Sequence, residues 1–198
     1  EFILSRLIRL VQVASNPAII DDKYSGLAGK FNKLDYLIAQ AAELSEKTIV
    51  WTNFVKNAEF ISNYLKKYGT ELIHGKIDIN KRNLSLENFR SDKNITVLIA
   101  TPGAAKEGLT ITEANRAIFF DRSFALDDYL QAQDRIHRIS QNKICYIYNL
   151  IMNDSVDIWL DSLLEAKHTA ARITQGDSSE ESISYDFARL LDEVLGNY

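Results

Sequence analysis

The sequence predicts an α/β fold of three α-β-α layers, in which helices cover both faces of a mostly parallel sheet. Short apolar runs alternate with amphipathic segments from Lys47 onwards. Runs that are apolar at every position are typical of strands buried on both faces, and their alternation with helices is typical of parallel sheets. Further helices are expected to flank this unit at both ends. Because parallel sheets bind ligands at the carboxyl ends of their strands, residues at strand ends are the first candidates for function.

The elements can be assigned in chain order. Ile3 to Ala14 is predicted as a helix that stops near Pro17, because proline disfavours helix in the residue before it. A second helix is predicted from Phe31 to Leu44. Strands follow at 48–52, 71–74, 95–100, 117–120 and 144–150, and helices at 54–68, 80–90, 126–139 and 155–173. Gly69 is expected to close one helix and Asn80 to cap the next.

The composition is that of an ordinary globular domain. The 198 residues are 46% apolar and 25% charged, which suits one domain with its own core. No apolar run approaches the roughly 20 residues of a membrane span, and no signal peptide is visible. The single cysteine, Cys145, excludes an internal disulfide and gives no metal cluster. Its apolar neighbours predict a buried, inert thiol.

The charge distribution neither requires nor excludes nucleic acid. The chain has a net charge of −4, but residues 176–198 alone carry −5. The remaining residues are therefore close to neutral, with +1. A near-neutral body can still carry a local basic stripe, so charge alone does not predict a partner.

The segment 131–141 carries the strongest functional pattern. If it is helical, residues three, four and seven apart are neighbours. One polar face then consists of Gln131, Asp134, Arg135 and Arg138, and one apolar face of Tyr129, Ala132, Ile136 and Ile139. Two adjacent arginines suit a polyphosphate, because each planar guanidinium can bind phosphate oxygens in pairs. The alternative is a salt-bridged surface face, in which Asp134 pairs with Arg138.

This segment reads Gln-Ala-x-Asp-Arg-x-His-Arg-x-x-Gln from Gln131. It resembles motif VI of superfamily-two helicases, in the form used by Swi/Snf-type translocases. That family usually has glycine at the position of Ser140. The resemblance extends from about Leu4 to Gln175 and implies the RecA-like C-terminal lobe of a motor. It also implies that Arg135 and Arg138 are arginine fingers.

Three further segments resemble motifs of the same family, in family order. Trp51-Thr52-Asn53-Phe54 resembles motif IV, His74-Gly75-Lys76 a glycine segment between IV and V, and 100–112 motif V. In motif V, Thr110 stands where asparagine is common. The resemblance implies a nucleotide cleft lined by Gln131, Asp134, Glu107 and Gly108. It implies contacts to the nucleic-acid backbone from Asn53, Lys56, His74, Gly75, Lys76, Thr101 and Lys106. The alternative is that the residues at strand ends only form turns and that the lysines are only solvated.

The resemblance also divides the chain. Lead-in helices at 1–46 precede the lobe at 47–152, and a bracing helix at 153–175 precedes an acidic linker and amphipathic helix at 176–198. The sequence has no Walker A motif and no magnesium-binding Asp-Glu-x-His box ahead of motif VI. Gly26 to Lys30 has the wrong spacing for a phosphate loop. ATP and Mg²⁺ are therefore expected to be held mainly by a first RecA-like lobe.

These inferences predict the second motor lobe of an ATP-dependent DNA translocase or helicase. The implied partners are the first lobe of the same protein and double-stranded DNA, at an intracellular location. This lobe alone is expected to lack ATPase activity, because its arginines have no phosphate to act on. Two alternatives remain open, an RNA helicase lobe and a non-catalytic scaffold that keeps the fold.

Overall fold

A central parallel sheet organises the protein. The computed structural model describes residues 2–105 and 110–174. Within these ranges the strands are β1 Lys47–Trp51, β2 Thr70–Ile73, β3 Val97–Ala100, β4 Ala114–Phe119 and β5 Tyr146–Asn149. They pair in the order β2-β3-β1-β4-β5, and all four pairings are parallel. The predicted sheet is therefore confirmed, in an all-parallel form.

Helices cover both faces of this sheet. In the described ranges they are α1 Phe2–Ser15, α2 Gly29–Glu43, α3 Val55–Tyr64, α4 Ile79–Ser91, α5 Leu126–Gln133 and α6 Val156–Thr174. Helices α2 and α3 pack on one face, and α4 and α5 pack on the other. This arrangement gives the predicted three layers. None of the described helices is long and apolar enough to cross a membrane.

Successive strand residues point into two different cores. Val50 packs among the residues of α2 and α3, whereas Ile49 and Trp51 pack among those of α4 and α5. Every residue of β3 and β4 is buried. Burying an aliphatic side chain contributes about 1.5–3 kcal/mol. Because side chains on both faces of a central strand are buried, apolar residues stabilise the fold at every position of the strand. This explains the unbroken apolar runs in the sequence.

The two terminal helices pack on each other beside the sheet. Val11 of α1 lies in one cluster with Leu160 and Leu164 of α6. The start of α6 is fixed by a buried ion pair, in which Lys30 Nζ lies 2.5 Å from the Asp157 carboxylate. Lys30 Nζ also donates to the carbonyl oxygen of Phe120, at 2.9 Å. One buried lysine thus joins α2, α6 and the end of β4.

Several local predictions differ from the structure. The helix predicted over 126–139 ends at Gln133. Asp78 caps α4 in place of Asn80, because the Asp78 carboxylate accepts the Asn80 backbone N–H at 2.9 Å. Cys145 is half-buried, and burial raises the pKa of its thiol. The amphipathic helix predicted within 176–198 lies outside the described residues.

Gly69 closes its segment as predicted. Its φ of 70° is in the region that favours glycine. A Cβ atom built on Gly69 would lie 1.8 Å from the backbone oxygen of Asn94. A side chain at this position would therefore displace the turn before β3. The glycine is required by backbone conformation and by close packing at once.

Candidate nucleotide and nucleic-acid interface

The carboxyl ends of the strands bring the sequence motifs together along one edge. Trp51 pairs with Ala100 and with Phe119, and Ile73 pairs with Ala100. The residues that follow these positions belong to motif IV, motif V and the 74–76 segment. Neighbouring parallel strands end side by side at one edge of a sheet. The pairing of these strands therefore explains why the three segments lie close together, as predicted.

Asp121 forms the centre of a buried hydrogen-bond network at this edge. Its carboxylate accepts from Ser15 Oγ at 2.8 Å, Thr52 Oγ1 at 2.5 Å and Asn57 Nδ2 at 3.1 Å. It also accepts the backbone N–H of Asn53 at 2.7 Å. The residue is 2% exposed. Sequence reasoning did not select Asp121, although its position directly after the apolar run of β4 could have drawn attention to it.

Asn53 is tied into this network. Its Nδ2 donates to Asp121 Oδ1 at 3.0 Å and to the Asp121 carbonyl oxygen at 3.3 Å. The amide donors are therefore engaged within the lobe, and a phosphate would have to displace one of these bonds. Lys56 is more available, because its Nζ makes a surface pair with Asp22 at 3.0 Å and its side chain is 55% exposed.

The segment 74–76 separates a buried residue from exposed ones. His74 is buried, and its Nδ1 accepts the backbone N–H of Lys76 at 3.3 Å. Burial lowers the pKa of His74, although Glu59 at 3.9 Å acts in the opposite direction. Gly75 and Lys76 are exposed, and a Cβ atom on Gly75 would meet nothing within 4 Å. The geometry makes His74 a turn-forming residue and leaves Gly75 and Lys76 accessible to a ligand.

Thr101 of motif V is buried directly after β3. Its backbone N–H donates to the carbonyl oxygen of Ile73 at 3.2 Å, and its own carbonyl oxygen accepts from Ala104 at 3.0 Å. Thr101 thus starts the turn Pro102–Ala105. The predicted site residues Lys106, Glu107 and Gly108 lie outside the described residues.

The predicted polar face of motif VI does not lie on one helix. Gln131 is exposed on α5, but Asp134, Arg135 and Arg138 follow the helix end at Gln133. Of the predicted apolar face, Tyr129, Ala132 and Ile136 do pack in the α4–α5 core. Ile139 is fully exposed. The shared-face prediction is therefore wrong, because turns replace the last part of the predicted helix.

Arg138 is held by motif V. One of its terminal nitrogens donates to Thr110 Oγ1 at 3.0 Å, and its Nε donates to the carbonyl oxygen of Asp134 at 3.2 Å. The predicted alternative, a pair between Arg138 and the Asp134 carboxylate, is replaced by this carbonyl contact. Thr110 is held from a second direction, because Arg90 of α4 donates to its carbonyl oxygen at 2.7 Å.

Arg135 lies close to Arg138 despite the loss of helix. It is 8% exposed, and its carbonyl oxygen accepts the backbone N–H of Ile111 at 3.1 Å. Burial lowers the pKa of Arg135, and repulsion from Arg138 lowers it further, while Asp134 raises it. The guanidinium stays charged at any working pH. Two neighbouring cations, one of them partly desolvated, are stabilised by an anion placed between them.

Gln141 connects the end of motif VI to the strand that follows motif V. Its Nε2 donates to the carbonyl oxygens of Thr112 at 3.1 Å, Ala114 at 2.9 Å and Ile136 at 3.3 Å. One amide thus fastens the turns that carry both arginines to β4. Gln141 belongs to the motif VI pattern, but sequence reasoning assigned it no role of its own. Its spacing alone gives no sign of these carbonyl partners.

Within the described ranges, no cluster of three or more His, Cys, Asp or Glu side chains is arranged to hold a metal. The two guanidiniums of motif VI, those of Arg135 and Arg138, are cationic. They fit the phosphate part of a nucleotide rather than Mg²⁺, which prefers oxygen ligands.

Comparison with known proteins places these features in a family. The family described as "Helicase conserved C-terminal domain" matches residues 29–140. The ATP-dependent helicase fft3 of Schizosaccharomyces pombe is 27% identical over 71% of this chain and 15% of its own length. FUN30 of Saccharomyces cerevisiae, also an ATP-dependent helicase, is 26% identical over 85% of this chain and 15% of its own length. The chain spans less than a fifth of the length of these relatives.

Solved structures show the same fold. The Sulfolobus solfataricus SWI2/SNF2 ATPase core in complex with dsDNA aligns with a TM-score of 0.73 and 26% identity, over 91% of this chain and 40% of that one. The C-terminal part of the Fun30 ATPase domain aligns with a TM-score of 0.66 and 28% identity, over 79% of this chain and 54% of that one. These likenesses confirm the predicted RecA-like α/β fold.

Proposed function

Because the chain belongs to the family of helicase conserved C-terminal domains and is a lobe of the Swi2/Snf2 type, we propose that it is the second motor lobe of an ATP-driven translocase on double-stranded DNA. The family recognised from motifs IV, V and VI is confirmed by these matches. We propose three things beyond the family: the catalytic roles of the arginines, the contacts to nucleic acid, and the activity of the parent protein.

The observation that carries the proposal is the pair of neighbouring arginines, Arg135 and Arg138, which the turns after α5 hold against the segment that leads into β4. ATP would be held with Mg²⁺ by the first lobe, and Arg135 and Arg138 would face its γ-phosphate across the cleft. They would stabilise the negative charge that develops during phosphoryl transfer, an effect worth about 10³–10⁵ in rate. Gln131 and Asp134 would line the same cleft, together with Glu107 and Gly108.

In this proposal the nucleic-acid surface lies at the carboxyl ends of the strands. Lys56, Gly75 and Lys76 are exposed or weakly paired, so they would contact the phosphate backbone directly, together with Lys106. Asn53, His74 and Thr101 are engaged within the lobe and would position these contacts. Phosphate contacts fix orientation without reading sequence. The similar Sulfolobus ATPase core was solved in complex with dsDNA, which supports this choice of partner.

The test is the ATPase activity of the full-length parent, with and without double-stranded DNA. We expect DNA-stimulated hydrolysis that falls about 10³-fold or more in Arg138→Ala and stays low in Arg138→Lys, which cannot bind phosphate in paired fashion. Arg172→Ala, at an exposed arginine of α6, is the matched control. Stimulation by RNA alone would favour the RNA helicase lobe, and an inactive parent would favour the scaffold.

The isolated lobe provides a second arm of this test. The 198-residue chain should show no ATP hydrolysis above background, because the elements that would bind ATP and Mg²⁺ are not in its sequence. Steady hydrolysis by the purified chain that disappears in Arg135→Ala would overturn the assignment of ATP to a first lobe. A motor on DNA acts inside the cell, and the proposal includes that location.

A further inference from the structure

A large apolar groove lies beside α1, and none of the motif residues described above lines it. It has a volume of about 1040 Å³ and is formed by α1, the start of α2 and the start of α6. Leu10 and Val13 of α1 line it with Ile158 and Trp159 of α6. Leu10 is 53% exposed, Val13 48% and Ile158 46%. A continuous apolar surface of this kind marks a binding site more often than a solvated surface.

Helix α1 is apolar on two sides. Val11 is buried against α6, whereas Leu10 and Val13 face the groove, which the buried Ala14 also lines. A helix with one neighbour normally keeps its other side polar. The second apolar side of α1 therefore indicates a second partner. Helix α1 also carries two arginines and no acidic residue, so an acidic partner would be favoured.

We propose that the groove is filled by residues 183–195 of this same chain, docked as an amphipathic helix. In the sequence of this segment, apolar residues recur at the spacing of one helix face: Ile183, Phe187, Leu190, Leu191 and Val194. This pattern is typical of a helix that places one face in an apolar groove. Its polar positions include Asp186, Asp192 and Glu193, which complement the arginines of α1.

The connecting chain is long enough for this arrangement. Helix α6 has 19 residues and is therefore about 28 Å long. The eight residues 175–182 separate its end from Ile183. When extended, they span up to about 30 Å. The segment can therefore return along α6 to the groove at its start. A tether of this length gives an effective concentration in the millimolar range, which favours this occupant over a second copy of the chain.

Trp159 reports directly on the occupancy of the groove. The chain has two tryptophans, and the other, Trp51, is fully buried. In the 198-residue chain, Leu190→Asp should release the segment and raise acrylamide quenching of Trp159 about two-fold or more. Ala188→Asp adds the same charge away from the apolar face and should leave the quenching unchanged. Equal quenching in the wild type and both variants would overturn the proposal.

Disulfide trapping gives an independent readout that does not rely on a destabilising variant. In a Cys145→Ser background, Val13→Cys combined with Leu191→Cys should form an intrachain disulfide much faster than Val13→Cys combined with Ala188→Cys. Similar rates for the two pairs would contradict docking of the proposed face. A disulfide between chains, with a dimeric mass in solution, would show that a second copy fills the groove and would equally overturn the proposal.

Discussion

At the scale of single residues, Thr110 is held between two arginines from distant parts of the chain. Arg90 binds its carbonyl oxygen and Arg138 binds its hydroxyl. The Thr110 hydroxyl therefore orients the guanidinium of Arg138 together with the carbonyl oxygen of Asp134. A hydrogen bond to a charged group contributes about 1.5–3 kcal/mol. The hydroxyl is thus well suited to a positioning role, while Arg138 itself would contact the phosphate.

Thr110→Val should test this role in the full-length parent. The substitution keeps the shape of the side chain and removes the acceptor. We expect kcat of the DNA-stimulated ATPase to fall about 10- to 100-fold with little change in KM for ATP. Thr110→Ser retains the hydroxyl and should keep most of the activity. An equal loss in the serine variant would assign the effect to packing.

His74 should make the stability of the lobe depend on pH. Burial lowers its pKa in the folded chain below the ordinary value of about 6.5. Between the folded and the unfolded pKa the unfolded chain binds more protons, so the free energy of unfolding falls as the pH drops below about 6.5. The loss ends once the pH is below the folded pKa.

Urea unfolding at about pH 7.5 and about pH 5.0, on either side of the ordinary histidine pKa, would measure this effect. His74→Asn should lose less stability between these pH values than the wild type, because it cannot take up the proton. His168→Asn, at an exposed histidine, should behave as the wild type does. Indistinguishable losses in His74→Asn and the wild type would exclude the histidine as the source.

The sequence alone was enough to predict which residues lie together at the site. It was not enough to predict which of their polar atoms are free to bind a ligand. Asn53, His74 and Thr101 lie at strand ends, and strand ends of a parallel sheet converge. The donors of Asn53 are occupied by Asp121, which lies far away in sequence. A pattern within one segment carries no information on such a partner. The order of the motifs along the chain therefore predicted where these residues lie. Hydrogen bonds to residues distant in sequence determine which of their polar atoms remain available to a ligand.

At the scale of elements, the short α5 shows where helical periodicity misleads. Ala132 and Ile136 are both buried, at a spacing that predicts continued helix. Beyond Gln133, however, the carbonyl oxygen of Arg135 accepts from Ile111 and that of Ile136 accepts from Gln141. These partners replace bonds that a longer helix would make internally. The burial of Ala132 and Ile136 was thus predicted correctly, but that of Ile139 was not, because the backbone conformation here depends on segments far away in the chain.

Gln141→Glu should test the link between the two arginine turns and β4. The carboxylate would face three carbonyl oxygens without a proton to donate, so repulsion replaces attraction. We expect the free energy of unfolding to fall by about 1–3 kcal/mol and amide exchange to increase at 110–114 and 136–141. Gln40→Glu, on the exposed side of α2, should change stability by less than about 0.5 kcal/mol. A Gln141→Glu variant with unchanged exchange would exclude this role.

At the scale of the whole molecule, the buried pair of Lys30 and Asp157 couples parts that are distant in sequence. Lys30→Met leaves Asp157 buried without its cation and should cost about 3–5 kcal/mol. The double variant with Asp157→Leu removes both charges and should recover much of that loss. Denaturant unfolding of both single variants and the double variant measures the coupling.

A surface pair provides the comparison for this cycle. Lys67 lies 2.9 Å from Asp35 with its side chain 60% exposed, so Lys67→Met should lower the free energy of unfolding far less than Lys30→Met does. If Lys30→Met were as mild as Lys67→Met, the buried pair would not join α2 and α6 in the folded protein.

The bond between Ser15 and Asp121 has a mechanical consequence. Ser15 is the last residue of α1, and its hydroxyl is anchored on the carboxylate that also holds the end of β1. Tension applied along α1 is therefore transmitted to the carboxyl edge of the sheet through this hydrogen bond, in addition to the apolar contacts between α1 and α6. In a motor, this hydrogen bond would act as a stiff mechanical connection. A force applied to α1 would then displace the carboxyl edge of the sheet after only a small extension of the chain.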